Sequence, residues 1–311
     1  MLRAKMMKLL LICFLYVFAS ASFADTYYSG LYIFGDSLSD TGNAASIIGP
    51  LPPPFYMNRI SNGPVAVDVF ADKLGLSAEA SLHLVGPAVG GNYAVAGANA
   101  LGNNPEDLGY QIAAFLANKG YVAPSDALYV VMIGGNDIRS ERGELDLEVA
   151  KATIDAAAAQ VQGAMETLIL AGAKSFFLVN SPNIALIPET GLIAESVGDS
   201  EMFKRAKKLS NHYRVRLKEI AELLNNQPGV NVTEFDFYKF LNKLVNHAED
   251  YGFTNWTDAC FSSISFTFYP DCNYGLNFDK YVFFDEIHPT ARSHELIGEA
   301  FYKTLTKTAA E

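Results

Sequence analysis

The chain of 311 residues is poor in cysteine, with three, and short of positive charge, with 23 Lys and Arg against 34 Asp and Glu. The formal net charge of −11 argues against a nucleic-acid partner, since gripping a phosphate backbone needs a basic surface. It argues equally against strong electrostatic attachment to anionic lipid. No stretch of the sequence reaches the roughly 20 consecutive apolar residues that a bilayer-spanning helix needs. Internal repeats, low-complexity tracts and convincing linkers are also missing; the stiff run Leu51-Pro52-Pro53-Pro54 is short and is followed at once by patterned sequence. No His/Glu pair at ligand spacing stands near the cysteines, so no structural zinc site is expected.

What is present begins with a leader. Arg3, Lys5 and Lys8 make a positive start, Leu9 to Phe18 a short apolar run, and Ser22-Phe23-Ala24 puts small residues at the two positions a signal peptidase reads. A signal peptide over residues 1–24 is therefore expected, with secretion to the periplasm or outside the cell. Cys13 lies inside the apolar run, which does not suit a lipoprotein cleavage box. Removing 24 residues from 311 leaves 287, residues 25–311, a length that suits one large domain or two small ones; the absence of a convincing linker favours one. The leader's three positive side chains leave with it, taking the formal charge from −11 to −14. Two cysteines then remain, and in an exported chain an even count points to a disulfide between Cys260 and Cys272.

Short apolar runs alternate with longer helical periodicities. Gly30 to Phe34, Leu128 to Ile133, Ser175 to Val179 and Val230 to Phe235 read as strands. Val65 to Leu74, Leu145 to Ala171, Ser200 to Asn225 and Pro289 to Thr306 read as helices. Continuous apolar strands separated by helices predict an α/β fold, a central parallel sheet covered on both faces in three α/β/α layers. Gly252 to Phe278, aromatic and serine-rich, reads as a surface loop stapled at residues 260–272.

Chemistry gathers where strands end, because sites on open α/β sheets form beyond the strands' carboxyl ends. The first strand delivers Gly35-Asp36-Ser37-Leu38-Ser39-Asp40, with Ser37 as candidate nucleophile; a serine there needs a base. Asp285-Glu286-Ile287-His288 supplies one. Three residues of spacing let the Asp285 carboxylate accept from one imidazole nitrogen of His288 while the other faces Ser37. Pro289 and Thr290 are expected to open the last helix and support His288. Gly97, within Asn92 to Ala98, offers a backbone N–H, and Asn136, after Gly134-Gly135, offers a side-chain amide. With the Ser37 N–H these would receive an oxyanion. Asp36 and Asp40 read as turn and cap residues, and Asp137 as a support for Asn136. His83, His212, His247 and His294 are scattered, with His294 near the active-site end of the last helix. Lys204, Arg205, Lys207 and Lys208 read as a solvated helix face.

These four blocks, in this order, resemble the GDSL (SGNH) hydrolase family, with Ser37, Gly97, Asn136 and His288 at its four lettered positions and Asp285 in its Asp-x-x-His block. Arg59 to Val65 is similar too, although Ala66 stands where members often carry tryptophan. The resemblance implies a flavodoxin-like SGNH fold and a serine esterase working through an acyl-enzyme, without cofactor. Within the family the chain is most similar to secreted bacterial lysophospholipases A and glycerophospholipid:cholesterol acyltransferases. That implies a lipid ester substrate, a lysophospholipid first among them, with a sterol as possible acyl acceptor and transient membrane-surface contact. A broad carboxylesterase, a carbohydrate acetyl-esterase and a catalytically silent lipid- or glycan-binding protein are the alternatives. The disulfide loop either covers the acyl cleft or only stiffens the surface.

Overall fold

A computed structural model describes residues 28–308; the expected leader and its cleavage site lie outside them. Four strands make the central sheet, β1 Leu31–Gly35, β2 Leu128–Met132, β3 Ser175–Val179 and β4 Asn231–Phe235, side by side in that order. All pairings are parallel and in step, so that Ile33, Val130, Phe177 and Thr233 lie in one row. Side chains alternate between faces along each strand. Both faces are covered, every residue of β2 is buried, and β2 accordingly reads as an unbroken apolar run.

A further segment extends the sheet beyond β1. Ile33 N–H donates to the Gly91 carbonyl at 3.0 Å, Tyr93 N–H to Ile33 at 2.7 Å and Val95 N–H to Gly35 at 3.1 Å. With this segment included, the spatial order is second, first, third, fourth, fifth, the flavodoxin-like arrangement. It places the loop carrying Gly97 beside the loop carrying Ser37.

The helices are α1 Ala45–Ile48, α2 Ala66–Lys73, α3 Leu108–Asn118, α4 Gly135–Glu141, α5 Leu147–Leu170, α6 Pro188–Val197, α7 Met202–Asn225, α8 Phe237–Asn246 and α9 Ala291–Thr308. On one face of the sheet Phe70 of α2 and Phe301 of α9 pack on Phe177, ring centroids 5.0 and 5.3 Å away. On the other, Phe115 of α3 meets Tyr32 and Tyr129 at 4.7 and 5.9 Å, and α5 packs against both α3 and α7. The result is the expected three layers. Among the described residues no helix is long and apolar enough to cross a membrane.

Two expectations need correction. The last helix starts at Ala291, not Pro289. Pro289 instead bridges to Phe283, and Thr290 caps α9 by accepting the Ser293 N–H on Oγ1 at 3.3 Å. The stretch from Gly252 to Phe278 is also more than a loop. It holds β5 Asn255–Ala259, β6 Phe261–Ser262 and β7 Thr267–Phe268; β6 pairs with β7, and β5 pairs in parallel with β8 Tyr281–Phe283. Cys260 and Cys272 form the disulfide, Cα atoms 5.1 Å apart, and both are buried.

Gly35 sits where β1 presses hardest on its neighbour. A Cβ at this position would collide with the Met132 carbonyl oxygen, which belongs to the sheet backbone and cannot swing away. Overpacking a rigid site typically costs about 1–3 kcal/mol or more. Gly35→Ala is expected to lose at least about 2 kcal/mol of unfolding free energy in urea titrations; an unchanged midpoint would show that β1 and β2 are not so tightly apposed.

Candidate active site

Ser37 follows β1 by two residues and is partly exposed at the carboxyl edge of the sheet. The turn beneath it is built by carboxylates. Asp36 Oδ1 accepts the Leu38 N–H at 3.0 Å. Asp40 accepts N–H groups of Gly42, Asn43 and Ala44, and its Oδ2 also takes the Ala96 N–H at 2.8 Å. The turn roles expected for both residues are therefore observed, and Asp40 in addition ties the nucleophile loop to the Gly97 loop. Gln111 clamps the strand end from α3, accepting the Gly35 N–H at 2.9 Å and donating to its carbonyl at 2.7 Å.

His288 and Asp285 arrive from the chain's far end. His288 Nε2 lies 2.8 Å from Ser37 Oγ, and His288 Nδ1 lies 2.8 Å from both Asp285 oxygens. Asp285 is fully buried, and its Oδ1 also accepts the backbone N–H groups of Ile287 and His288 at 2.9 and 2.7 Å. One carboxylate thus folds the three-residue spacing into a tight loop and holds the imidazole with Nδ1 protonated. Nε2 is then left to accept the serine proton.

Gly134 is left-handed, φ 109°, with the Tyr213 ring packed over it, and the Tyr213 hydroxyl donates to the Ile133 carbonyl at 2.9 Å. α4 starts at once, which fixes Asn136 on a helix rather than a loop. Asn136 Nδ2 donates to the Ala98 carbonyl at 2.8 Å, so the amide is clipped to the residue after Gly97. Asp137 accepts the N–H groups of Ala100 and Leu101, both at 2.9 Å, fastening the same loop. Gly97 itself is exposed with φ 88°, held through its two neighbours. Ser37, Asn136 and Asp36 line one cavity, and its walls are mostly apolar: Ile184, Ile187, Phe237, Leu241, Phe283 and Ile287 contribute. Gly97 is not among the lining residues.

Burial pushes the Asp36 carboxyl up to about 6 against the lowering effect of the Leu38 N–H and the nearby His288 charge. His294 is structural. Its Nδ1 accepts the Ala66 N–H at 3.1 Å, which leaves the proton on Nε2, an atom without a partner among the described residues. Burial, helped by the His288 charge, lowers its pKa to about 3. A histidine that stays neutral in the fold but charges in the unfolded chain withdraws stability as pH falls from about 6.5 to about 3. Asp36 works in the opposite sense, its contribution being full below 3.8 and lost as pH rises through about 6. His294→Gln is therefore expected to flatten the acid limb, with a relative gain on the order of 3 kcal/mol at about pH 4. Urea melts across pH check this; parallel acid limbs for the two proteins would contradict it.

The other expected histidines are placed away from this cavity. His212 pairs with Asp155 at 2.9 Å, His247 approaches Asp250 at 3.4 Å, and His83 meets Ser81 Oγ at 2.7 Å. Lys207 and Lys208 are exposed, while Lys204 and Arg205 pair with Glu201 and Asp199. The disulfide lobe contributes nothing to the cavity lining. It grips the His288 loop from outside instead: buried Glu286 accepts the N–H and hydroxyl of Ser263, at 3.0 and 2.8 Å, and the Tyr269 hydroxyl at 3.1 Å. Among the described residues no group of His, Cys, Asp and Glu is arranged to hold a metal ion.

Sequence reasoning passes over Arg139, Glu189 and Glu286. Arg139 lines the cavity and joins Asn136 to Glu189. Its signal is present in the chain: three residues after Asn136 on a helix is a shared face.

The family model described as GDSL-like Lipase/Acylhydrolase matches residues 31–301. The chain is 28% identical over 242 residues to a phosphatidylcholine-sterol acyltransferase of Aeromonas hydrophila, covering 75% of this chain and 66% of that protein. It is 28% identical over 298 residues to a thermolabile hemolysin of Vibrio parahaemolyticus, covering 88% and 63%. The chain thus spans about two thirds of the length of these two relatives, or slightly less. An inactive GDSL esterase/lipase-like protein of Arabidopsis thaliana is 24% identical over 309 residues, covering 92% and 72%. A solved lipase structure from a goat rumen metagenome aligns with 88% of this chain and 96% of its own, at 15% identity and a TM-score of 0.46.

Proposed function

The chain belongs to the GDSL-like lipase/acylhydrolase family, and we propose that it is a secreted serine esterase acting on lipid carboxylic esters, lysophospholipids first among them. The carrying observation is the unbroken line from Asp285 through His288 to Ser37, each step 2.8 Å. Because the family includes a relative named as inactive, membership alone does not supply activity; this line supports it, and argues against a silent binding protein.

In this mechanism Ser37 Oγ attacks the ester carbonyl carbon while His288 Nε2 takes the hydroxyl proton. Asp285 steadies the imidazolium. The tetrahedral oxyanion is received by the backbone N–H groups of Ser37 and Gly97 and the Asn136 amide. Its collapse breaks the ester C–O bond, and His288 returns the proton to the leaving alcohol. Water then attacks the acyl carbon while giving a proton to His288; the second tetrahedral oxyanion collapses, the bond from the acyl carbon to Ser37 Oγ breaks, and His288 returns the proton to Ser37 as the acid leaves. A sterol hydroxyl in place of water yields a sterol ester, a reading supported by the name of the Aeromonas relative. No metal or organic cofactor takes part.

An aliphatic acyl chain suits the apolar walls formed by Ile184, Ile187, Leu241 and Phe283 better than a sugar-borne acetyl group does. Exposed Ile264, Phe266, Tyr274 and Leu276 on the disulfide lobe are available for transient contact with a lipid surface. A panel of lysophospholipids, diacyl phospholipids, short p-nitrophenyl esters and acetylated sugars, with and without cholesterol, tests the assignment. Highest kcat/KM on lysophospholipid is expected. A preference for acetylated sugars would overturn the substrate reading, and equal turnover of every ester would make the enzyme a broad carboxylesterase.

A further inference from the structure

We infer that Arg139 is a positioning residue that aims the Asn136 amide at the oxyanion, and that Glu189 anchors it there. Asn136 has two side-chain bonds. Its Nδ2 donates to the Ala98 carbonyl at 2.8 Å, and its Oδ1 accepts from Arg139 Nη1 at 2.7 Å. The second bond fixes which end of the amide is nitrogen, because a guanidinium can only donate. With one Nδ2 hydrogen on Ala98, the other is left as the donor toward the cavity that Asn136 shares with Ser37. Without Arg139 the amide keeps a single clip and is free to turn about it.

Arg139 is itself locked. Its Nε and Nη2 form a bidentate pair with Glu189, 2.9 and 2.6 Å, and Glu189 also holds Arg142 at 2.7 Å. Burial would raise the Glu189 carboxyl, but the two guanidiniums hold it below the usual range, so it stays charged. The Glu189 N–H in turn donates to the Glu286 carbonyl at 2.8 Å, next to Asp285. The oxyanion side and the Asp285/His288 side of the site are thereby braced against each other through α4 and α6. The planar fork matters here: one guanidinium reaches three acceptors at once, which an ammonium cannot reproduce.

The inference rests on the serine-esterase reading, and the test separates the two. Steady-state kinetics are measured on p-nitrophenyl butyrate for the full chain and for Arg139→Ala, Arg139→Lys, Asn136→Ala and the Arg139→Ala/Asn136→Ala pair. Arg139→Ala is expected to lower kcat by about 10- to 100-fold with KM nearly unchanged, since small misplacements of a reacting partner cost rates of that order. Arg139→Lys is expected to recover little of it, and the pair to be no slower than Asn136→Ala alone. If Arg139→Ala melts below the assay temperature, Arg139→Gln replaces it in the same cycle. Full recovery by lysine would mean that only charge matters and would overturn the inference. Losses that multiply in the double variant, or a change confined to KM, would overturn it as well. A folded wild-type chain with no Ser37-dependent turnover would instead sink the esterase reading itself.

Discussion

Ser37→Ala is expected to reduce kcat for ester hydrolysis by roughly 10⁶, and His288→Ala by a similar factor, with the fold intact. The two residues meet at 2.8 Å and act as one unit: the hydroxyl is a poor nucleophile until His288 accepts its proton, and the imidazole has nothing to activate without the hydroxyl. Their effects therefore do not multiply. The double variant is expected to be no slower than either single one, with about 10³–10⁴ over the uncatalysed rate remaining from binding and the oxyanion donors. Folding is not at risk. Ser37 is partly exposed, and the backbone of its turn is held by Asp36 and Asp40 rather than by its own side chain. Stopped assays on purified proteins, with circular dichroism as the control, check this. A folded Ser37→Ala protein within tenfold of wild type would remove the nucleophile assignment.

Asp285→Asn is expected to cost about 10⁴ in kcat while barely altering stability. The amide oxygen that this change leaves in place can still accept the Ile287 and His288 N–H groups that Asp285 accepts now. The new amide nitrogen, however, would donate toward His288 Nδ1. That drives the ring's proton to Nε2, where it faces Ser37 and cannot receive another. Asp285→Ala differs in a telling way. It leaves the two backbone donors without a partner in a fully buried position, at about 1–3 kcal/mol each, so stability falls along with rate. Thermal melts and kcat for the two variants distinguish orientation of the ring from support of the loop. Equal kcat for Asp285→Asn and wild type would show that the ring is oriented by something else.

Much of this is legible in the sequence, for identifiable reasons. The four central strands are covered on both faces, so Leu128 to Met132 and Ser175 to Val179 carry apolar residues at every position but one and stand out. Ser37, Asp285 and His288 lie in compact motifs whose spacing already implies their geometry. The edge segment from Gly91 to Val95 does not stand out, because a glycine and an asparagine break the pattern and only three backbone bonds tie it to β1. α4 is seven residues long and polar, and α3 buries Gln111 on its inner face, so neither presents a clean apolar stripe. α6 does offer a signal, Pro188 at its start and left-handed Gly198 at its end. The Arg139–Glu189–Glu286 brace is hidden for another reason. It joins elements far apart in the chain through one ion pair and one backbone bond, and pairings of that kind emerge only when the layers are assembled.

The central claim is that one serine, activated by one histidine, does the chemistry. A fluorophosphonate probe reacts only with such a serine, and mass spectrometry of the digested protein locates the adduct. The account predicts stoichiometric labelling of the peptide containing Ser37, abolished in Ser37→Ala and strongly slowed in His288→Ala. A folded protein that stays unlabelled, or an adduct on any other serine, would contradict it.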